Sequence, residues 1–388
     1  MTRRRRAEIV GWGKCLPPAV LTNADLTQVI ETSDEWIRAR TGIVERRISH
    51  VGIGELASLA VKRALAAADL PPEAVQLLIL GCCTGDDQVP NTASLVAHRC
   101  GLRNAAAMDV NTACTSAMYA MSTATALIET SAIDVAVVIG ADVLSTYMDW
   151  DNRAPVVLFG DGAGALVLRS TEEDVGVLAH TLGADADGRN AIQIRGLGAS
   201  YANAGTLLGT TEWNFDGPEI FRHAVQSMAA VSKRVLDIAR LTIDDVDLFV
   251  PHQANLRIIE AVARKLDVPA QRVFTNVQRV GNTSSGAIPI AIAEALEERR
   301  IAQGDNVLLA SFGSGYTWTG HVIRWGKRTT PHHRCDDELP ASDLSALDIV
   351  RWLQSAKARK STPSAATFAK VHEIKARFDS ETEALQSS

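Results

Sequence analysis

The segment Asp109-Val-Asn-Thr-Ala-Cys-Thr-Ser-Ala-Met118 decides the architecture. A short apolar stretch ends in a polar turn, and a helix expected over Ser116–Glu129 begins just past Cys114. On either side, the apolar runs Val75–Leu80 and Val135–Ile139 read as buried strands, and Ala57–Ala68 as a helix. Strands alternating with helices of this length argue for an α/β architecture. The second half repeats the order. Phe221–Ala239, Leu256–Leu266 and Ser285–Arg300 read as helices, and Leu248–Val250, Val307–Ala310 and His321–Ile323 as strands. Val280-Gly-Asn-Thr-Ser-Ser285 puts Asn282 in a polar turn before a helix, the place that Cys114 holds in the first half. An internal duplication is the simplest explanation. The expected units are an N-terminal half, 1–172, carrying the cysteine, a C-terminal half, 173–326, carrying His252 and Asn282, and a tail, 327–388.

Two glycine runs read as tight turns before strands: Phe159-Gly-Asp-Gly-Ala-Gly164 and Gly313-Ser-Gly315. The first lacks a following Lys-Ser/Thr and leads into a strand, which excludes a phosphate loop. In the tail, Thr329–Cys335 reads as linker, Leu344–Ala356 as a short amphipathic helix, and the remainder as loosely ordered.

Composition narrows the function classes. The chain has 388 residues, is 46% hydrophobic and 22% charged, and so can bury a sizeable core. A net charge of -6 does not suit a nucleic-acid binder, and Arg3–Arg6 reads as a solvated terminus. The six cysteines form no C-x-x-C pair. His332, His333 and Cys335 lie together in linker and are read as incidental, so no metal is expected. No apolar run approaches the ~20 residues of a membrane span. A reduced, cytoplasmic protein is expected.

Three residues carry the candidate chemistry. Free backbone N–H groups and the helix dipole at Cys114 favour an anion, and a lowered thiol pKa is expected. His252 follows a strand, in Pro251-His-Gln-Ala-Asn-Leu-Arg257, where α/β sheets open clefts. Asn282 brings an amide. Taken singly, each has a structural reading as well: a buried thiol, a satisfied histidine and a common Gly-Asn turn.

In order and spacing, the set Thr32-Ser-Asp-Glu-Trp-Ile37, Arg40-Thr-Gly-Ile43, Phe159–Gly164, Pro251–Arg257, Gly281-Asn-Thr-Ser284 and Phe312-Gly-Ser-Gly-Tyr-Thr-Trp318 resembles the β-ketoacyl-acyl-carrier-protein synthase III family. The resemblance covers roughly Ala7–Trp325. It implies a thiolase fold, a duplicated five-layer αβαβα sandwich, and a homodimer. It implies that Cys114 takes an acyl group from an acyl-CoA, and that malonyl-acyl-carrier-protein then condenses with it, beginning fatty-acid or related biosynthesis. His252 and Asn282 would stabilise the enolate as carbon dioxide leaves, and the N–H groups of Cys114 and Ser314 would form the oxyanion hole. The coenzyme A thioester is a substrate, and no cofactor is implied.

The same resemblance assigns Thr32, Trp36, Arg40, Arg153, Ala254 and Asn255 to coenzyme A, with adenine between Trp36 and Arg153. Thr32–Glu35 has the form of a capping box opening a helix, which makes Trp36 and Arg40 neighbours one turn apart. Gln253, Ala254, Asn255, Leu256 and Arg257, with Arg264, Lys265 and Arg272 nearby, form the expected docking surface for an acidic carrier. Phe312 and a partner subunit's Val89 are the expected acyl-pocket residues. Many members carry an aromatic residue at the position of Val89, so a deeper pocket is expected here.

Rival classes differ at specific residues. A degradative thiolase needs a second cysteine near Phe312–Trp318, where there is none. A papain-type hydrolase lacks its nucleophile signature here, and a non-enzymatic subunit has no need of Cys114, His252 and Asn282 together. The runner-up is a head-to-head acyl-CoA condensing enzyme, with Asp86 or Asp87 as its acid, or a specialised-pathway ketosynthase or acyltransferase of the same fold.

Overall fold

The computed structural model describes residues 5–196 and 211–361. The chain opens with β1 (Arg6–Cys15), β2 (Val20–Thr22), α1 (Asn23–Leu26), α2 (Asp34–Thr41) and β3 (Glu45–Arg47). Then come α3 (Ile53–Ala68), β4 (Leu77–Gly81), α4 (Thr92–Arg99), β5 (Ala106–Val110), α5 (Ser116–Glu129), β6 (Val135–Asp142), α6 (Arg153–Val156) and β7 (Gly162–Thr171). Five of these strands form one sheet in the order β1-β7-β6-β4-β5. Strand β4 pairs in parallel with β5 and β6, and β7 runs antiparallel to β6 and β1.

The later part supplies β8 (Gly176–Ala184), β9 (Ile192–Arg195), β10 (Glu212–Phe215), α7 (Gly217–Ala239), β11 (Leu248–Pro251), α8 (Leu256–Lys265), α9 (Val277–Val280), α10 (Ala287–Glu297), β12 (Asn306–Gly313) and β13 (Thr317–Arg324). A second sheet runs β11-β12-β13-β8.

Strand alternation builds the layers. Leu77 and Ile79 of β4 point inward, with Leu248 and Val250 of β11, onto Met118 and Met121 of α5 and Ile288 and Ile292 of α10. Leu78 and Leu80 point the other way, onto α3 and α4. Phe249 and Leu308 of the second sheet face α7 and α8. The order is helix, sheet, paired helices, sheet, helix. Helix α10 is buried from Ala287 to Leu296, as a helix sandwiched between two sheets must be.

Several expectations shift. The glycine run near 160 is strand rather than turn, because β7 begins at Gly162. A Cβ on Gly164 would lie 2.6 Å from the Ile290 backbone nitrogen, so glycine lets the central helix approach. Of the expected solvated terminus Arg3–Arg6, Arg3 and Arg4 lie outside the described residues and Arg5 and Arg6 are half-buried: Arg5 Nε donates to the Ile128 carbonyl at 2.7 Å, and Arg6 pairs with Asp174. In place of the capping box expected at Thr32, Ser33 alone caps α2, accepting the Trp36 N–H at 3.1 Å. The tail helix, α11 (Ala346–Ser361), begins two residues later than expected.

Candidate active site

Cys114 is the middle residue of a 3-10 turn, Ala113–Thr115, that feeds α5. Ala113 takes left-handed backbone, φ 53°, a conformation that costs an L-residue roughly 1–2 kcal/mol. Polar bonds hold it there. Ser116 Oγ accepts the Thr112 N–H at 2.8 Å, and Thr115 Oγ1 meets Thr317 Oγ1 at 2.8 Å. The second half repeats the device: Ser284–Gly286 is a 3-10 turn feeding α10, and Ser284 has φ 51°. The positional counterpart of Cys114 is therefore Ser285, three residues past Asn282, which corrects the register of the expected repeat.

The two turns meet. Ser285 Oγ accepts the Ala117 N–H at 3.1 Å, and Ser284 Oγ lies 3.6 Å from Cys114 Sγ. Gly281, at φ 67°, turns the chain so that Asn282 N donates to the Leu158 carbonyl at 2.8 Å. Asn282 Oδ1 accepts the Ser284 N–H at 2.9 Å, which orients the side-chain NH2 as the group free for a ligand. His252 extends β11 with a 2.8 Å bond from its N–H to the Ala310 carbonyl, and neither of its ring nitrogens has a protein partner. All three side chains line one cavity of about 690 Å3.

Burial pushes the Cys114 thiol up to about 11, although the Ser284 hydroxyl pulls the other way. The free chain thus holds a thiol, and burial outweighs the expected helix-end stabilisation of a thiolate. Burial also lowers His252 to about 4, so the imidazole is neutral and able to take or give one proton. Asp142, fully buried, accepts from Cys83 N, Thr84 Oγ1 and Ser285 N at 2.8–3.1 Å. It stands behind the thiol, and its charge opposes thiolate formation.

The cavity runs from Phe312 and Met228 past Ala254 and Asn255 to Trp36 and Arg40. At this mouth both Arg40 and Arg153 lie on the Trp36 ring, with guanidinium carbons 4.8 and 4.4 Å from its centroid. Asn255 Nδ2 donates to the Arg40 carbonyl at 3.1 Å and joins α8 to α2. The Thr32 hydroxyl is buried beside this helix without a protein partner.

Other expected residues sit differently. Gln253 is fully buried, and its amide is spent on the Pro251 and Phe274 carbonyls and the Asn276 N–H, so it cannot touch a docked protein. Ala254, Asn255 and Leu256 are half-buried and Arg257 is exposed. Arg272 is pinned to the Asp244 and Val246 carbonyls rather than displayed with Arg257. Ser314 lies outside the left-handed region, and its hydroxyl turns away to the Ile192 carbonyl. The adjoining Gly313 comes so close that an added Cβ would stand 3.0 Å from the Cys114 nitrogen. Val89 does not line its own chain's cavity and is 88% exposed. Asp86 caps α3, accepting the Ile53 and Gly54 N–H groups at 2.9 Å, which fixes it away from a catalytic role. His333 pairs with Asp69, and no cluster of three or more metal-ligating side chains occurs among the described residues.

Residues 108–186 match the family model for 3-oxoacyl-[acyl-carrier-protein] synthase III, and residues 236–325 match that for its C-terminal part. The chain is 45% identical over 344 residues to the β-ketoacyl-[acyl-carrier-protein] synthase III 2 of Vibrio cholerae, an alignment spanning 89% of this chain and 95% of that one. The crystal structure of 3-oxoacyl-[acyl-carrier-protein] synthase III from Aquifex aeolicus superposes with a TM-score of 0.77 and 39% identity, over 82% of this chain and all of that one. A priming β-ketosynthase of the R1128 polyketide pathway gives 0.79 at 28% identity, over 84% and 98%. The fold is the thiolase fold of these enzymes, and the chain belongs to the β-ketoacyl-acyl-carrier-protein synthase III family.

Proposed function

We propose that this enzyme is an acyltransferase that condenses an acyl-CoA with malonyl-acyl-carrier-protein, giving a 3-oxoacyl-carrier-protein, coenzyme A and carbon dioxide. The observation that carries this reading is the single cavity linking Cys114, His252 and Asn282 to the Trp36 and Arg40 mouth. Coenzyme A lies with its adenine end at Trp36, Arg40, Arg153 and Thr32, and its pantetheine arm passes Ala254 and Asn255. Cys114 Sγ attacks the thioester carbonyl, the thiol proton leaves with the coenzyme A sulfur as free coenzyme A, and the acyl group stays on Cys114. The Cys114 and Ser314 N–H groups receive the oxyanion. The carrier then delivers its malonyl thioester. His252 and the Asn282 amide donate to the thioester oxygen while the bond to the carboxylate breaks. The electron pair left behind forms the new carbon–carbon bond, and the Cys114 thiolate leaves and takes a proton from water, restoring the thiol.

Every step uses groups of this chain and its two thioesters, so we assign no cofactor or metal. The substrates place the reaction in the cytoplasm; among the described residues no helix is long and apolar enough to cross a membrane. We also infer a homodimer. Strand β5 is the open edge of its sheet and leaves Ala107, Met108 and Val110 only partly buried. The loop bearing Val89 is tied beside it, with Asn91 Nδ2 bonded to the Ala107 carbonyl, so pairing at β5 would carry Val89 toward the partner's cavity. Head-to-head joining of two acyl-CoA chains through Asp86 loses support because Asp86 is committed to α3, which leaves the exposed Asp87 as the acid that alternative would use.

The test is reconstitution with acyl-CoA and malonyl-acyl-carrier-protein. Formation of the 3-oxoacyl-carrier-protein with one carbon dioxide released per turnover supports the reading; product only from two acyl-CoA molecules would replace it.

A further inference from the structure

The family model's match ends at residue 325, while the alignment to the Vibrio cholerae relative, over 89% of this chain, extends beyond it, and this next stretch is built into the fold. Trp325 Nε1 donates to the Arg328 carbonyl at 2.7 Å. The His332 and His333 N–H groups then reach the Ala67 and Ala66 carbonyls at the end of α3, at 3.1 and 3.2 Å. These carbonyls sit in the last turn of the helix, where Ala66 also accepts the Asp69 N–H at 3.2 Å. Lys62 holds Asp337 at 2.6 Å, Leu339 packs on the outer helix layer, and the His50 ring bonds to the Pro340 carbonyl at 2.7 Å. The strap ends in α11, whose first turn is closed by reciprocal bonds between Ser345 and Asp348.

Helix α11 docks at a particular place. Ala346, Ile349 and Val350 are buried in one cluster with Leu21, Leu26 and Ile37, and Trp36 packs against that same cluster. Arg351 Nη2 donates to Gln28 Oε1 at 3.1 Å. The segment after Gln28 ends at Glu31, whose carbonyl accepts Arg153 Nη1 at 3.3 Å. Arg153 in turn lies on Trp36. A continuous path of packing and polar bonds therefore runs from the tail helix to both residues that would part to admit an adenine ring.

We propose that the C-terminal strap and α11 are a positioning device for the mouth of the coenzyme A site, holding the 28–31 segment so that Arg153 and Trp36 receive the adenosine end of the substrate. The proposal rests on the assignment of Trp36 and Arg153 to coenzyme A. It separates the adenosine end of the substrate from the acyl end, because α11 touches none of Cys114, His252 or Asn282.

The experiment compares one acyl group on coenzyme A and on pantetheine, which lacks the adenosine, in the full chain. Val350→Asp, which places a charge in the α11 seat, should raise KM for acyl-CoA about five- to tenfold, the low end of the usual range of such couplings, with KM for acyl-pantetheine and kcat for both unchanged. Arg351→Ala, at an exposed position that leaves the apolar seat intact, should shift KM the same way by a smaller factor. Trp36→Ala is the reference for a direct loss of the adenine contact. If Trp36→Ala raises KM for acyl-CoA and neither tail variant does, the positioning role is wrong while the coenzyme A site stands. If both substrates worsen equally in the tail variants, α11 is merely structural and the proposal fails. If Trp36→Ala itself leaves KM unchanged, the site assignment and the proposal fall together.

Discussion

At the scale of single residues, the reactivity of Cys114 is a contest between burial and one hydroxyl. Burial sets the thiol near 11, and Ser284 Oγ, 3.6 Å away, works against it. Ser284→Ala should slow alkylation of Cys114 by iodoacetamide at neutral pH, because the hydroxyl that favours the thiolate is removed. An unchanged rate would remove Ser284 from the thiol's chemistry. His252 gives a pH dependence. Its folded pKa lies near 4, below the ordinary 6.5, so the ring is neutral above that range and gains its proton only as pH falls through about 4. Malonyl decarboxylation by Cys114→Ala should therefore be flat with pH from about 5.5 to 8, any change tied to His252 being confined to the acid range near pH 4. An inflection near 6.5 would show that burial does not depress His252. Sequence and family pattern led to Cys114, His252 and Asn282, which come together in one cavity. They did not lead to Ser284 as a neighbour of the thiol, because that contact joins positions 170 residues apart. Gln253 was misread for a related reason: its motif says nothing of the backbone groups that its amide satisfies.

At the scale of elements, periodicity was a sound guide wherever a helix or strand is apolar throughout. Helix α5 spans Ser116–Glu129 as read, and β6 continues the expected strand to Asp142. Pattern failed where packing decides. Glycines 162 and 164 look like a turn, but they lie in a strand beneath α10. Strand β1 is not among the expected strands, and its register shift between Ile9 and Gly11 breaks the alternation that would mark it. Helix α8 supports a prediction about docking. Arg257 stands exposed at its first turn, over the Phe221 ring at the cavity mouth, while Arg264 has only Glu260 at 4.0 Å. Arg257→Glu should raise KM for the carrier protein and weaken its salt dependence, leaving KM for acyl-CoA little changed. Equal effects on both substrates, measured at two ionic strengths, would remove this face as the docking surface.

At the scale of the whole molecule, the two-sheet sandwich was legible from the repeated order of strands and helices, whereas the seating of the tail was not. Its anchors are backbone bonds to α3 and a small apolar seat, and neither leaves a strong pattern in a polar segment. Chain-length selection also belongs to this scale, because Val89 projects out of its own chain. If the partner's Val89 closes the acyl pocket, the space left by a small side chain should favour longer acyl groups. Each extra buried methylene contributes roughly 0.8 kcal/mol, about fourfold in binding. Acylation should be faster with a medium or branched acyl-CoA than with acetyl-CoA, and Val89→Phe should reverse the order. A wild-type preference for acetyl-CoA, with Val89→Phe indifferent to chain length, would place the pocket wall elsewhere, with Met118, Thr115 or Leu207 refilling the space, of which Leu207 lies outside the described residues.

The most direct test of Cys114 as the acyl carrier is the intact mass of the protein after exposure to acyl-CoA alone. Wild type and His252→Ala should each gain one acyl group, removable by hydroxylamine, and Cys114→Ala should gain none. A Cys114→Ala protein that still carries the acyl group, or a wild type that turns over acyl-CoA without ever carrying it, would contradict the mechanism.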